Sequence, residues 1–164
     1  MAEIGRWQKG HTRLGYKKSF LIDMDGVINR GHALIPGADL FVRKLFESSF
    51  PFLFITNNSY HTPSDLRKRL ADISIDVSED HFYTSAMATA SFLKYQKPGC
   101  SAYVIGGKGL IDELERTGIT VTRTKPDYVI VGKTDEYDYR KIMEATLLIQ
   151  EGAKFIATNP DITG

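Results

Sequence analysis

The sequence is poor in cysteine, because Cys100 is the only one among 164 residues. No disulfide can form within the chain, so we expect a reducing compartment such as the cytoplasm. The sequence also has no apolar run approaching the roughly 18 residues that a membrane-spanning helix needs. Its first 18 residues are polar and basic and lack the apolar segment of a secretory signal. These absences predict a cytoplasmic protein without a membrane partner.

Neither sign of charge is in excess, since 21 Lys and Arg residues stand against 20 Asp and Glu residues and the net charge is +1. Such a balance creates no overall field that would attract nucleic acid or an acidic membrane surface. We interpret the basic residues before Ser19 as a solvated tail. The four histidines are too scattered to show metal-ligand spacing. The sequence therefore predicts no nucleic-acid partner.

The chain is ordinary in composition, with 42% hydrophobic and 25% charged residues. Short apolar runs alternate with amphipathic segments, which predicts an α/β fold with parallel strands. The segment Thr62-Pro63-Ser64-Asp65 is a typical helix start, with a capping Thr, an early Pro and an acid three residues on. The predicted strands cover residues 19–23, 51–56, 102–105, 128–131 and 154–158, and the predicted helices cover residues 36–47, 63–72, 85–95, 110–116 and 139–150.

Burial can also be predicted for the first elements. Residues 19–23 and 51–56 are continuous apolar runs of the kind that parallel sheets bury on both faces. In the helix over residues 36–47 we expect one apolar stripe toward the core. The stripe consists of Leu40, Phe41, Leu45 and Phe46.

Two aspartates, Asp23 and Asp25, follow the first apolar run directly and precede Gly26. If the strand end curls at the glycine, both carboxylates reach one cavity at the carboxyl edge of a parallel sheet, where α/β proteins bind ligands. Two close carboxylates repel unless a cation intervenes. One acid bound to a hard cation such as Mg²⁺ can then act as a nucleophile, and the other as a general acid and base. The alternative is a solvated loop with two surface acids.

The second apolar run ends in Thr56, Asn57, Asn58 and Ser59. Their hydroxyl and amide groups can donate hydrogen bonds to phosphate oxygens at the same sheet edge. Taken alone, this segment is more typical of a plain turn. His61 follows it and could border the same site.

Together the two signals resemble the haloacid dehalogenase (HAD) superfamily of aspartate-nucleophile phosphohydrolases. Its first motif is an apolar strand followed by D-x-D-G-[TV], here LIDMDGV, and its second is an apolar strand ending in Thr or Ser, here FLFITNN. The finer match is to the 4-nitrophenylphosphatase-like, or NagD-like, branch (subfamily IIA), and the resemblance covers residues 18–164. The further matching segments are Gly31, the I-P-G-A segment at 35–38, and residues 85–90, 126–132 and 152–161.

The resemblance implies a role for each matching residue. Asp23 would attack phosphorus and form an aspartyl-phosphate, and Asp25 would protonate the leaving oxygen and then activate water. Mg²⁺ would be held by the Asp23 carboxylate and the Asp25 main-chain carbonyl. Thr56, Asn57 and Asn58 would hold the phosphate or nearby substrate, with Gly26 giving it room.

The resemblance also implies a domain plan and a partner. We expect a tail over residues 1–17, the first part of a HAD-like Rossmannoid core over 18–80, an inserted α/β cap of the C2 type over 81–157, and the start of a return to the core over 158–164. The expected partner is a small phosphorylated metabolite, and the resemblance allows a homo-oligomer through the cap.

Two motifs of the resemblance are missing from these 164 residues. One is a lysine, usually in G-K-P, and the other is G-D-x-x-x-T-D, whose first aspartate completes the metal site. The nearest string, Gly132-Lys133-Thr134, follows P-D-Y-V-I-V and matches the cap instead. We therefore expect a fragment of a longer enzyme, with an incomplete core and little turnover of its own, since each lost electrostatic donor costs about 3–4 kcal/mol in other enzymes.

Other functions stay open on the sequence alone. A receiver-type signalling domain also uses clustered acids and Mg²⁺, although its phosphate-accepting Asp would end a later strand. A phosphotransferase of the same superfamily and an inactive interaction module made from the same fold are further alternatives. The Gly106-Gly107-Lys108-Gly109 turn matches no phosphate-binding pattern, so we interpret it as structural.

Overall fold

A computed structural model describes residues 19–161, which form two parallel sheets joined by helices. The prediction of an α/β fold with parallel strands is confirmed. The strands are β1 (Phe20–Asp23), β2 (Asn29–Arg30), β3 (Ala33–Leu34), β4 (Phe52–Thr56), β5 (Phe82–Thr84), β6 (Ser101–Ile105), β7 (Thr120–Val121), β8 (Tyr128–Val131) and β9 (Lys154–Ala157). The helices are α1 (Ala38–Glu47), α2 (Pro63–Asp72), α3 (Ser85–Gln96), α4 (Lys108–Arg116) and α5 (Tyr139–Gln150), with a short 3-10 helix at Glu79–His81.

The first sheet has the strand order β1-β4-β5, and all of its strands are parallel. One face is buried, because Ile22, Phe54 and Phe82 lie in the same core cluster as apolar residues of α1 and α2. The opposite face is exposed within residues 19–161, and Leu21 on β1 is 71% exposed. The prediction of strands buried on both faces is therefore wrong here, since alternate residues of a strand point to opposite faces and helices cover only one of them.

Helix α1 buries a different stripe from the predicted one. The buried residues are Ala38, Val42 and Leu45, which are spaced four and three apart along one helical face. Of the predicted stripe only Leu45 is buried, and Leu40, Phe41 and Phe46 are exposed. The larger side chains of α1 therefore lie outside the stripe that packs in the core.

The second sheet has the strand order β7-β6-β8-β9 and is also parallel. Helices α3 and α4 cover one face, and α5 covers the other through Ala145 and Leu148. Its central strands are consequently buried on both faces, as Val129 and Ile130 show. This two-sided burial explains why β8 reads as a continuous apolar run.

Local signals fixed several boundaries. The capping box of α2 is present, since the Thr62 hydroxyl oxygen accepts from the Asp65 N–H at 3.1 Å and the Asp65 carboxylate accepts from the Thr62 N–H at 3.0 Å. The Thr62 hydroxyl also donates to the Asp65 carboxylate at 2.7 Å, and this bond, followed by the one from the Thr62 N–H, lowers the pKa of Asp65 because both favour its charged form. The predicted bounds of α5 also match the structure.

The short strands were not predicted. Strands β2 and β3 form a two-residue hairpin, and β7 is equally short. Strand β5 pairs with β4, so the first sheet extends past the predicted boundary at residue 80. The predicted tail, residues 1–17, lies outside the described residues. None of the helices in residues 19–161 combines the length and apolar character needed to cross a membrane.

Candidate active site

The aspartate pair sits where β1 ends and the chain turns back on itself. Asp23 is the last residue of β1, and the carbonyl oxygen of the buried Met24 accepts hydrogen bonds from the Ile28 N–H at 2.9 Å and the Asn29 N–H at 3.2 Å. Gly26 has a φ of 86°, in the left-handed region that glycine adopts without strain. Both carboxylates are exposed beyond the sheet edge. The strand end thus curls at the glycine, as the sequence predicts.

Asn29 supports this turn from below. Its side-chain Nδ2 donates to the Gly31 carbonyl at 2.8 Å and lies 3.5 Å from the Asp25 carboxylate oxygen Oδ1. Asn29 is only 6% exposed, and its Oδ1 has no hydrogen-bond partner among residues 19–161. The sequence analysis missed Asn29, since an asparagine after a glycine turn is common and gives no distinct signal.

Thr56 and Asn58 shape the loop that follows β4. Thr56 is the last residue of that strand and is buried, and its Oγ1 accepts from the Asn58 N–H at 3.1 Å. The hydroxyl proton of Thr56 remains available to donate. The Asn58 side-chain oxygen accepts from the Tyr60 N–H at 2.8 Å. The loop is therefore held by its own side chains.

Asn57 connects this loop to both segments that join the two sheets. Its carbonyl oxygen accepts from the Ser85 hydroxyl at 2.7 Å, at the junction of β5 and α3. Its Nδ2 donates to the Asp161 carboxylate at 3.1 Å, in the segment after β9. Asn57 thus fixes the position of both connections relative to the end of β4.

The carboxyl ends of the two sheets meet at Ser59, which is fully buried. Its Oγ accepts from the Lys133 N–H at 3.1 Å, just after β8, and from the Thr158 hydroxyl at 3.1 Å, just after β9. The Gly109 N–H of α4 donates to the Tyr60 carbonyl at 2.9 Å. We call this contact region, from Ser59 and Tyr60 to Gly109, Lys133 and Thr158, the seam.

A cleft of about 470 Å³ lies beside the seam. On the side of the first sheet it is lined by Asp25, Asn57 and Asn58. A smaller cavity of about 120 Å³, beneath the aspartate turn, adds Thr56 to the Asp25 and Asn58 side chains. Asp23 and Gly26 line neither of these two cavities. Each of the two cavities is therefore lined by three of the six predicted site residues, and Asp25 and Asn58 line both.

The other side of the cleft comes from the second sheet, and sequence analysis assigned none of it to the site. The residues concerned follow the carboxyl ends of β8 and β9. They include Lys133, Thr134, Tyr137, Thr158, Asn159 and Asp161. The available signal was that parallel sheets bind ligands at their carboxyl edges, and the cleft lies at the carboxyl edges of both sheets.

The acids fit a hard divalent cation. No Lys, Arg or His of residues 19–161 forms an ion pair with Asp23 or Asp25. Mg²⁺ typically binds through one or two carboxylates and keeps several waters. Within the same residues no group of three or more His, Cys, Asp or Glu side chains gathers as a metal cluster. The two carboxylates therefore match a hydrated ion rather than an all-protein cage.

His61 lies near the site in electrostatic terms. Burial and then the charge of Arg69 lower its pKa, while Asp65 opposes them, and Lys133 and Asp25 act on it more weakly. The imidazole is therefore neutral at pH 7. His61 lines neither of the two cavities, so its place beside the site stays a prediction.

Comparison with known proteins defines the class. The model of the haloacid dehalogenase-like hydrolase family matches residues 20–120. The chain belongs to this family.

Particular relatives are similar over most of the chain. A dihydroxyacetone phosphatase of Corynebacterium glutamicum is 44% identical over 89% of this chain and 53% of its own length. The ribonucleotide monophosphatase NagD of Escherichia coli is 42% identical, and its solved structure matches 90% of this chain and 58% of its own with a TM-score of 0.84. A 4-nitrophenylphosphatase structure from Thermotoga maritima is 31% identical, covers 88% of this chain and 55% of its own, and has a TM-score of 0.83. The chain thus spans little more than half the length of these relatives.

Proposed function

We propose that the protein acts as a Mg²⁺-dependent phosphomonoester hydrolase on small phosphorylated metabolites, with Asp23 as the nucleophile. The observation that carries this proposal is the placement of the aspartate turn and the Thr56–Asn58 loop at the carboxyl ends of adjacent parallel strands, because Asp23 pairs in register with Ile55, next to Thr56. The names of the relatives, all phosphatases, support the same reaction class. The activity is proposed for the whole protein to which these residues belong.

In the first step, an Asp23 carboxylate oxygen attacks phosphorus as the bond from phosphorus to the leaving oxygen breaks. Asp25 gives its proton to that oxygen, so the product leaves as an alcohol. In the second step, Asp25 takes a proton from water, the water oxygen bonds to phosphorus, and the bond to Asp23 breaks. Inorganic phosphate leaves, and both carboxylates return to their starting states.

The remaining residues position the phosphoryl group. The Thr56 hydroxyl proton and the amide groups of Asn57 and Asn58 are donors at the strand end, which suits phosphate oxygens. Gly26 carries no side chain that would fill the space above the turn. Asp23 and Asp25 would hold the Mg²⁺ ion, which supplies charge neutralisation for the phosphoryl oxygens when bound.

The domain plan belongs to this proposal. Residues 18–80 would form the first part of the catalytic core, residues 81–157 the cap, and residues 158–164 the return to the core. We assign β5 to the core, although it lies within 81–157, because it pairs with β4. The cleft would then lie between core and cap. An exposed apolar face on α5, including Tyr139, Ile142 and Leu147, supports an oligomer through the cap. The lone buried Cys100 supports a cytoplasmic location.

The test uses the full-length gene product, with Asp23→Asn, Asp25→Asn and a control, Asp76→Asn. Asp76 is exposed in a loop remote from the cleft. We expect Asp23→Asn to lower turnover of 4-nitrophenyl phosphate by at least about a thousandfold, since removing a nucleophile abolishes the chemical step. The Asp76→Asn variant should match the wild type. Borohydride reduces an acyl phosphate to an alcohol, so mass spectrometry after borohydride treatment during turnover should find the Asp23 side chain converted to that of homoserine. Retained turnover in Asp23→Asn would refute the assignment.

A further inference from the structure

Lys133 is the one basic residue among those of residues 19–161 that line the cleft. The acids on the cleft wall are Asp25 and Asp161, and Asp161 already accepts a hydrogen bond from Asn57. The cation lies across the cleft from the aspartate turn, since Lys133 follows β8 in the second sheet. One wall of the cleft thus carries Asp25, Asn57 and Asn58, and the opposite wall carries the charge of Lys133 together with Asp161.

The backbone of Lys133 is fixed at this place. Its N–H donates to the Ser59 hydroxyl oxygen at 3.1 Å, and its carbonyl oxygen accepts from the Gly107 N–H at 2.9 Å. The preceding residue, Gly132, approaches so closely that a Cβ there would lie 2.6 Å from the Ser59 Oγ. The backbone of Lys133 is thus held by the seam, while its side chain is exposed at the cleft.

The ammonium group of Lys133 has no protein partner within residues 19–161. The ion pairs formed by lysines in this range involve Lys97, Lys108 and Lys141. Lys133 donates no side-chain hydrogen bond there either. The charge of Lys133 also contributes to lowering the pKa of His61, which lies beside the loop after β4, so the charge acts on the first sheet. Lys133 differs from the other lysines without an ion pair in residues 19–161 because it alone lines the cleft.

We propose that Lys133 determines substrate specificity by binding a second anionic group, a carboxylate or phosphate, on the leaving-group side of the substrate. This inference rests on the proposed function. With the scissile phosphate at the aspartate turn and the Thr56–Asn58 loop, the leaving group would enter the cleft beside Asp25 and extend toward the end of β8. A volume of about 470 Å³ fits a small metabolite. A lysine ammonium binds either anion as a point charge, and a neutral polyol would leave it unpaired.

The test compares three substrates on one carbon skeleton in the full-length gene product. Two of them, 3-phosphoglycerate and glycerol 1,3-bisphosphate, carry a second anionic group. The third, glycerol 1-phosphate, has a neutral hydroxyl group in its place. The variants are Lys133→Met, which keeps the stem and removes the charge, and Lys133→Arg, which keeps the charge. Lys154→Met is the control, because Lys154 is an exposed lysine at the amino end of β9, away from the cleft.

We expect Lys133→Met to lower kcat/KM by about ten- to a hundredfold for at least one of the two substrates that carry a second anionic group. This is the usual worth of a hydrogen bond to a charged group. The loss should appear mainly in KM, and glycerol 1-phosphate should change less than about twofold. Lys133→Arg should retain most of the preference, and Lys154→Met all of it. A loss for 3-phosphoglycerate would identify the second anion as a carboxylate, and a loss for glycerol 1,3-bisphosphate would identify it as a phosphate.

Two results would overturn the inference. Equal losses for all three substrates would place Lys133 at the transferred phosphoryl group, and unchanged kinetics would remove it from substrate binding. Calorimetric titration in the Asp23→Asn background separates this failure from failure of the proposed function. In that background, Lys133→Met should weaken the binding of the substrate with a second anionic group and leave glycerol 1-phosphate binding unchanged. This result does not depend on whether the wild type turns substrate over. Equal affinities with and without the Lys133 charge would refute the role directly.

Discussion

Gly109 is the position where the seam tolerates a side chain least. A Cβ built there would lie 2.6 Å from the Tyr60 carbonyl oxygen and 2.7 Å from the carbonyl carbon and oxygen of His61. These are backbone atoms, which cannot rotate away as the end of a side chain can. To restore ordinary contact at 3.4 Å, helix α4 and the loop after β4 would have to separate by about 0.8 Å.

The Gly109→Ala substitution sets two effects against each other. Gly109 is the second residue of α4, so alanine should favour the helix by at most about 1 kcal/mol, the value for a helix interior. Overpacking costs about 1–3 kcal/mol. The separation also stretches the 2.9 Å hydrogen bond from the Gly109 N–H to the Tyr60 carbonyl, which is worth about 1 kcal/mol. The steric effect wins, and we expect a net loss of about 1–3 kcal/mol in the free energy of unfolding.

Urea unfolding followed by circular dichroism measures this loss. Ser91→Ala, at an exposed position of α3, is the control for helix propensity and should change stability by only a few tenths of a kcal/mol. Gly118→Ala, with a φ of 85° and open space around it, is the control for conformational strain alone. If Gly109→Ala proves as stable as the wild type or more so, the close approach of α4 to the loop is refuted.

Two further substitutions test local interactions. Thr62→Ala removes the capping box of α2 and should cost about 1 kcal/mol in unfolding free energy, with Thr62→Ser close to the wild type. The cap lowers the pKa of Asp65, so its contribution to the free energy of unfolding is fully present above the pKa of Asp65 in the unfolded chain. It is lost as the pH falls through the pKa of Asp65 in the folded protein. The difference in stability between Thr62→Ala and the wild type should therefore narrow in acid. Tyr103→Phe should remove one phenol from the spectrophotometric titration near pH 12, since burial and then the bond to Glu144 raise the pKa of Tyr103 to about 12. The contribution of Tyr103 to stability is fully present below its unfolded pKa near 10 and is lost as the pH rises toward 12. If Tyr103 titrates at the ordinary pH of a tyrosine, its burial is contradicted.

Elements with strong local signals could be predicted from the sequence. The cap at Thr62 and the helix over Tyr139–Gln150 are set by residues within one or two turns of the chain. Strands β5 and β7, of three and two residues, are too short to show a period. Their existence depends on pairing with β4 and β6, which is a property of the assembled sheets.

Burial was harder to predict than element type. The sequence Leu-Phe-Val-Arg-Lys-Leu-Phe in α1 offers apolar residues on more than one side of the helix. Which side faces the sheet is decided by how closely Ala38 and Val42 can pack, and this is a tertiary property. The exposure of Leu21 has the same origin, because an apolar run does not reveal which of its faces other elements cover.

Half of the candidate site was visible in the sequence, and the missing half depends on distant contacts. Asp25, Asn57 and Asn58 follow strand ends, and they could be assigned because the two motifs occur together in the pattern of the family. Lys133 enters the site because its backbone bonds to Ser59, 74 positions away, and no periodic pattern encodes such a contact. The two sheets were predicted separately, but the cleft exists only where their carboxyl ends meet.

The glycines carried a signal for that meeting. Turn glycines such as Gly26 have positive φ, whereas Gly107, Gly109 and Gly132 do not, so turn geometry does not explain them. At each of these three a Cβ would lie within 2.6 Å of the Ser59–His61 segment. The Gly107 and Gly109 amides donate to protein carbonyls, which agrees with a structural rather than phosphate-binding turn. Glycines after a strand and at a helix start can therefore mark where another backbone passes, and here they mark the edge of the cleft.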